Sequence, residues 1–284
     1  MSKAQDVETS IVKKFRKEIW LRFIAAIKEY RLIQPGDKIA VCISGGKDSM
    51  LMAKCMQHLQ KYSEFPFEAE YMVMDPGYNE INRALVLENA QLLELPIHLF
   101  STNIYDVVAG VEGTPCYLCA RMRRGYLYHE AQKLGCNKIA LGHHFDDVVE
   151  TILMSMFYGS EVKTMMPKLH SEHFPGMELI RPLYMVREED ILAWRRYNGL
   201  SFIQCACRLT ENCVFGGGGG DSKRFEMKRL VKQLRQLDPA IDRNIFTSIH
   251  NVNLDAVIGW RQGRERHSFL DMYREAAPEQ PENG

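Results

Sequence analysis

Apolar side chains recur every three or four residues at Ile11, Val12, Phe15, Ile19, Phe23, Ile24 and Ile27, with Lys13, Lys14, Arg16, Lys17 and Arg22 on or beside the opposite side. This period predicts an amphipathic helix over 9–31, stopped by Pro35-Gly36. The pattern then changes. Residues 38–43, Lys-Ile-Ala-Val-Cys-Ile, form a short and almost wholly apolar run of the kind found in buried strands. A polar turn follows, Ser44-Gly45-Gly46-Lys47-Asp48-Ser49, and leads into a helical stretch reaching about Leu59. Further strands are predicted over 67–74, 97–100 and 138–141, and further helices over 80–94, 119–134 and 146–157. Strands alternating with helices of this length predict an α/β fold built on a doubly wound parallel sheet. Segments 101–118 and 159–186 carry no clear period and read as irregular.

Past Phe202 the texture differs. Three cysteines and the five glycines Gly216 to Gly220 precede helical patterns over 222–236 and 240–249. The glycine run follows no strand, so it reads as a flexible linker, with Asp221-Ser222 capping the next helix. The expected organisation is an N-terminal helical segment over 1–34, an α/β domain over 35–200, and a cysteine-containing, glycine-linked, helical region over 201–284. A chain of 284 residues accommodates about two domains.

Charge changes this picture only locally. Thirty-six basic and 36 acidic residues cancel, which excludes a uniformly basic nucleic-acid binder and a polybasic membrane anchor. Basic residues nevertheless gather at Arg121, Arg123 and Arg124, and again at Lys223, Arg224, Lys228, Arg229, Lys232 and Arg235. At helical spacing 224, 228 and 235 share a face, either a solvated surface or a stripe that tracks RNA phosphates. No run approaches the length of a membrane span, and Met1 to Ser10 lacks an apolar signal core, so a soluble cytoplasmic protein without membrane contact is expected.

Three segments carry chemistry. In Ser44 to Ser49 the glycines permit a tight turn and bare N–H groups, the helix start offers a favourable dipole end, and Lys47 can neutralise phosphate charge. The spacing matches neither the Walker nor the dinucleotide glycine pattern. Gly142-His143-His144-Phe145-Asp146-Asp147 follows another strand, at the sheet end where ligands bind. One of its aspartates is expected to be the helix N-cap, and the other, with His143, to face a nucleotide or its magnesium. Cys116 and Cys119 form a C-x-x-C pair, and Cys205 and Cys207 return roughly ninety residues later. Eight cysteines in a reducing compartment suit a metal or catalytic role better than disulfides; the C-x-x-C pair alone is ambiguous among zinc, redox and iron–sulfur uses, and two pairs could make a four-thiolate zinc site. Cys42, Cys55 and Cys136 read as small apolar packing groups.

Ser-Gly-Gly-Lys-Asp-Ser resembles the signature of the PP-loop ATP pyrophosphatases. The chain is further similar to the tRNA 2-thiocytidine synthetases within that group. The resemblance runs through Pro115-Cys116-Tyr117-Leu118-Cys119 with Arg121, Arg123, Arg124 and Gly125, then Leu141 to Asp147 with Glu150 and Thr151, then Met156-Phe157-Tyr158-Gly159. It implies the adenine nucleotide alpha hydrolase-like fold and cleavage of ATP between its α and β phosphates. It further implies ATP, Mg2+ and a 4Fe-4S cluster as cofactors. Ser44, Gly45, Gly46, Lys47, Asp48, Ser49, Gly142 and His143 would bind the nucleotide, and Lys47, Asp48 and Asp147 would be catalytic. Cys116, Cys119 and Cys205 would hold the cluster, with Cys207 an alternative third ligand. The implied partners are tRNA, a sulfur donor such as a cysteine desulfurase, and a second copy of the chain. Two other readings stand beside this one: a different AMP-forming ligase on the same fold, and a non-enzymatic RNA-binding protein with a four-cysteine zinc site.

Overall fold

A computed structural model of the chain describes residues 2–109, 115–203 and 223–273, without the side chains of 109, 115 and 116. Six strands form one sheet in the order β3-β2-β1-β4-β6-β5. The strands are β1 (Lys38–Ile43), β2 (Glu68–Asp75), β3 (Ile97–Ser101), β4 (Lys138–Ala140), β5 (Lys168–His170) and β6 (Glu178–Ile180). β1 pairs in parallel with both β2 and β4, in register Val41 to Tyr71 and Val41 to Ala140. The chain therefore leaves β1 in one direction and β4 in the other, which makes the gap between their carboxyl ends the topological switch point. The doubly wound parallel sheet is present with one departure: edge strand β5 runs antiparallel to β6.

β1 is apolar throughout because both of its faces are covered. Ile39, Val41 and Ile43 pack into the larger core, and Ala40 and Cys42 into a second core on the other face. The larger core also takes α1 (Lys3–Val12), α2 (Leu21–Glu29), α3 (Lys47–Tyr62) and α8 (Glu188–Tyr197) through Ile11, Phe23, Met50 and Trp194. The opposite core holds Tyr128 and Ala131 of α6 (Pro115–Lys133). A third apolar cluster joins Phe145, Val149 and Leu153 of α7 (Phe145–Gly159) to Met227 and Val231 of α9 (Lys223–Leu237). Helices α4 (Glu80–Leu92), α5 (Ile104–Ala109) and α10 (Ile241–Ser248), and the hairpin β7 (Gly259–Gln262) and β8 (Glu265–Ser268), complete the described elements.

The helix expected over 9–31 is broken by a π-helical turn at Arg16–Trp20. Ile11, Phe15, Ile19, Phe23 and Ile27 recur every fourth residue and are all buried. On a regular helix a four-residue step drifts about 40° around the axis, and the wider π turn takes up the accumulated drift. Segment 101–118, expected to be irregular, contains α5 and the first turn of α6, which begins at Pro115 rather than at 119. Segment 159–186 likewise contains β5 and β6. Among the described residues no helix is long and apolar enough to cross a membrane.

Candidate active site

β1 runs directly into the turn Ser44-Gly45-Gly46, and Lys47 opens α3. Gly45 has φ +82°, and a Cβ there would stand 2.6 Å from Val86 Cγ2 and 2.9 Å from Ile203 Cδ1. Only glycine meets both demands. Ser49 braces the turn from one helical turn on: its Oγ accepts from the Ser44 amide at 3.1 Å and donates to the Gly46 carbonyl at 3.0 Å. The Tyr78 hydroxyl donates to the Ser44 carbonyl, and the Ile203 amide donates to the Gly45 carbonyl at 3.2 Å. Gly46 is the N-cap of α3 and makes no side-chain cap bond, so the first amides of the helix are unclaimed by a capping side chain.

The β4–α7 connection lies against this turn. A Cβ on Gly142 would meet Ser49 N at 3.0 Å, Ser49 Cα at 3.1 Å and the Asp48 carbonyl carbon at 3.2 Å, all backbone. The α7 N-cap is His144, a correction to the expected aspartate cap. Its Nδ1 accepts from the Asp147 amide, and Asp147 Oδ2 accepts from the His144 amide at 3.0 Å, so Asp147 is the reciprocal partner three residues on. Asp146 faces elsewhere, accepting from Arg235 at 2.5 Å and from the Glu188 amide at 2.7 Å. His143 Nδ1 is buried without a hydrogen-bond partner among the described residues. Burial, and after it Arg181, pushes the His143 ring down to about 4, so it is neutral near pH 7.

Two cavities adjoin here, and Asp48 and Asp147 line both. One, of about 390 Å³, opens between the carboxyl ends of β1, β2 and β4, with Ile43, Met74, Leu127, Ile139 and Leu141 as apolar walls. Ser44, Ser49, His143, Arg123 and Arg124 supply its polar rim. The other, of about 340 Å³, is charged: Lys47, Arg224 and Lys228 face Glu150 and Glu188 across it. Lys47 Nζ lies 3.1 Å from both Asp48 and Glu188. Burial would lower the Lys47 pKa, but these two carboxylates outweigh it and hold the ammonium above its ordinary value. Burial would likewise raise Asp147; His144, His143 and Arg224 together keep it below the ordinary carboxylate range.

The glycine turn at the switch point and the second strand-to-helix connection that braces it lie within a stretch of sequence that matches a known family. A model of the PP-loop domain covers residues 17–208. The chain belongs to the PP-loop family. A tRNA-cytidine(32) 2-sulfurtransferase from Geobacter sulfurreducens is 34% identical over 230 residues, covering 80% of this chain and 86% of that one. One of the same name from Cellvibrio japonicus is 39% identical over 248 residues, covering 84% and 77%. In structure the chain resembles a U34-tRNA thiolase from Methanococcus maripaludis solved with its [4Fe-4S] cluster, with TM-score 0.62, 20% identity, and 82% and 79% of the two chains covered. That likeness is one of fold.

Within this PP-loop protein the nucleotide-turn residues and Gly142, His143 and Asp147 are all together at one end of the sheet. The cysteine segments are only partly described. Cys119 is half-buried on α6 and packs against the larger core with Leu118 and Met122. Cys116 lies three residues earlier in the same helix; its side chain, and all of Cys205, Cys207 and Cys213, fall outside the described residues, as does the glycine run 216–220. The described chain reaches Ile203, two residues before Cys205, where it is bonded to the nucleotide turn. Cys42, Cys55 and Cys136 are buried, and burial pushes the Cys42 thiol up to about 12 and the Cys136 thiol up to about 11. Such thiols are inert packing groups.

Sequence reasoning did not find Glu150, Glu188 and the α9 cations as part of this site. Glu188 begins α8, for which the sequence carries only Ile191 and Trp194 as buried positions, too few to display a period. Arg224, Lys228 and Arg235 do share a face, and that face pairs with Asp147, Glu188 and Asp146 at the edge of the cavity. Lys223, Arg229 and Lys232 are exposed, as Arg224 and Lys228 are, and Arg235 is half-buried.

Proposed function

We propose that the protein is an ATP-dependent tRNA sulfurtransferase that adenylates the C2 oxygen of a pyrimidine, an anticodon-loop cytidine, and replaces that oxygen with sulfur. The observation that carries the reading is the shared wall of Asp48 and Asp147 between an apolar-sided and a charged cavity at the switch point. The first suits a nucleoside and the second a polyphosphate. The tRNA and the cytidine come from the relatives' names, which stand on 34% and 39% identity over most of the chain.

A pyrimidine C2 oxygen is a poor leaving group, and bonding it to AMP makes it a good one. Ser44 to Ser49 would hold the phosphates with turn amides and the α3 N-terminus, and Lys47 would neutralise developing charge, a preorganised electrostatic role. Asp48 and Asp147 would offer Mg2+ one or two carboxylates beside the ATP phosphates; among the described residues no group of three acidic, histidine or cysteine side chains is placed to hold a metal ion by itself. Gly142 allows the second connection to close on the turn, and His143 offers at the nucleoside cavity a ring nitrogen that has no hydrogen-bond partner among the described residues.

Cys116, Cys119 and Cys205 would hold the 4Fe-4S cluster, Cys207 being the alternative third ligand. Two observations fit this: Cys119 is half-buried on the core that Ile203 joins, and Ile203 is bonded to the nucleotide turn. With three thiolates holding it, the cluster would supply a site without a protein ligand at which a sulfur donor could be received. A sulfur donor such as a cysteine desulfurase, and assembly as a homodimer in the cytoplasm, complete the reading.

Anaerobic purification followed by iron, acid-labile sulfide and zinc analysis tests it. Iron and sulfide in equal amounts, lost in Cys116→Ser and Cys119→Ser, are expected. Zinc filling the thiols, with no ATP consumed in the presence of tRNA, would overturn it in favour of an RNA-binding protein. Full activity in both cysteine variants would overturn it in favour of a cluster-free ligase.

A further inference from the structure

The charged cavity holds three cations, and two of them come from α9, far from the nucleotide turn in sequence. Arg224 donates to Asp147 Oδ1 at 2.8 Å and lies 3.6 Å from Glu150. Lys228 is 2.5 Å from Glu188, whose other carboxylate oxygen is 3.1 Å from Lys47. Glu188 thus bridges the lysine of the nucleotide turn to a lysine of the C-terminal helix. Lys228, then Lys47, overcome burial and draw the Glu188 carboxyl down to about 2.

The helix does not depend on these pairs for its place. Met227 and Val231 are buried against Phe145, Val149 and Leu153, and Arg235 is held by Asp146 at 2.5 Å and by Asp242 at 2.6 Å. Asp242 is fully buried and is gripped a second time by Arg187 at 2.6 and 3.0 Å. By contrast the Arg224 and Lys228 side chains are 44% and 51% exposed. Ion pairs that exposed contribute little, so these cations can change partners while the helix stays docked. A polyphosphate entering the cavity offers both of them a more highly charged acceptor.

We propose that Arg224 and Lys228 exchange Asp147 and Glu188 for the β- and γ-phosphates of ATP and hold the departing pyrophosphate. This rests on the adenylation reading above. In that step the substrate oxygen forms a bond to the α-phosphorus, the bond from the α-phosphorus to the bridging oxygen breaks, and pyrophosphate leaves with the electron pair. The new charge falls on the group that the two α9 cations face. Lys47 on one side and Lys228 on the other then bracket the leaving group, and Arg224 can engage it in a fork.

The test is calorimetric binding of ATP, inorganic pyrophosphate and AMP, each with magnesium, to the full-length, anaerobically purified protein. Arg224→Gln and Lys228→Gln are compared with wild type and with Lys232→Gln, an exposed position on the same helix. Each site variant is expected to weaken pyrophosphate and ATP on the order of tenfold, as loss of a charge-assisted phosphate contact does, with AMP unchanged. Lys232→Gln should match wild type throughout. Unchanged pyrophosphate affinity, or equal losses for AMP and pyrophosphate, would overturn the proposal. Wild type that binds AMP and ATP alike but not pyrophosphate would also overturn it. Wild type that binds no ATP would instead overturn the adenylation reading itself.

Discussion

The amide of Ile203 donates a hydrogen bond to the carbonyl of Gly45 at 3.2 Å, so the segment leading to Cys205 is tied to the nucleotide turn. The same two residues meet through side-chain space as well, since a Cβ on Gly45 would collide with Ile203 Cδ1 at 2.9 Å. A change at the turn is therefore felt by the segment that leads to the later cysteines, and the reverse.

Gly45→Ala is expected to cost about 1–3 kcal/mol, because φ +82° is unfavourable for alanine and the new methyl meets Val86 at 2.6 Å. Chemical denaturation reads the loss. Wild-type stability would show that the turn relaxes freely and that the contact with Ile203 is loose.

Gly142→Ala should leave the fold intact but separate the β4–α7 connection from α3, since the methyl meets the Ser49 and Asp48 backbone at 3.0–3.2 Å. Backbone cannot swing aside as a flexible side chain does. A rise in the ATP dissociation constant of about tenfold or more is expected from a misplacement of a few tenths of an ångström across a binding site. Equal ATP affinity in a folded variant would contradict the shared-site account.

Parts of this arrangement are legible in the amino-acid pattern alone. β1 and its turn stand out because a strand buried on both faces is uniformly apolar and a phosphate turn needs glycine. β5 and β6, three residues each, are too short to show a period. His144 escapes recognition as the α7 cap because histidine is not a usual capping residue, whereas the aspartates beside it are. The shared face of Arg224, Lys228 and Arg235 is readable, but what it faces is not. Its partners Asp146, Asp147, Glu188 and Asp242 belong to three other helices.

Asp242→Ala is expected to be strongly destabilising, by about 3–5 kcal/mol, because it leaves Arg187 and Arg235 without their common buried partner. Denaturation again measures it, and proteolysis should cut first near α9. A loss below about 1 kcal/mol would mean that the network is not what holds α9 in place.

Glu150 gives the nucleotide-free protein a pH signature. Burial first, then Asp147, pushes its carboxyl up to about 7. The folded state thus keeps a proton that the unfolded state has lost above about pH 4.3. Stability from this group is intact below that pH and declines as pH rises through 7. Glu150→Gln, which cannot ionise, should exceed wild type by about 1–3 kcal/mol at pH 8 and match it near pH 4.5. An equal difference at both pH values would contradict the raised carboxyl.

Above all, the C2 oxygen of the tRNA pyrimidine should be adenylated by ATP bound at Ser44 to Ser49 before sulfur replaces it. Substrate tRNA carrying 18O at C2 of its cytidines tests this most directly, with the released nucleotide examined by mass spectrometry. The expected result is that AMP carries the label, in equal amount to the thionucleoside formed and to the pyrophosphate released. Unlabelled AMP, or ADP with phosphate in place of AMP and pyrophosphate, would contradict it.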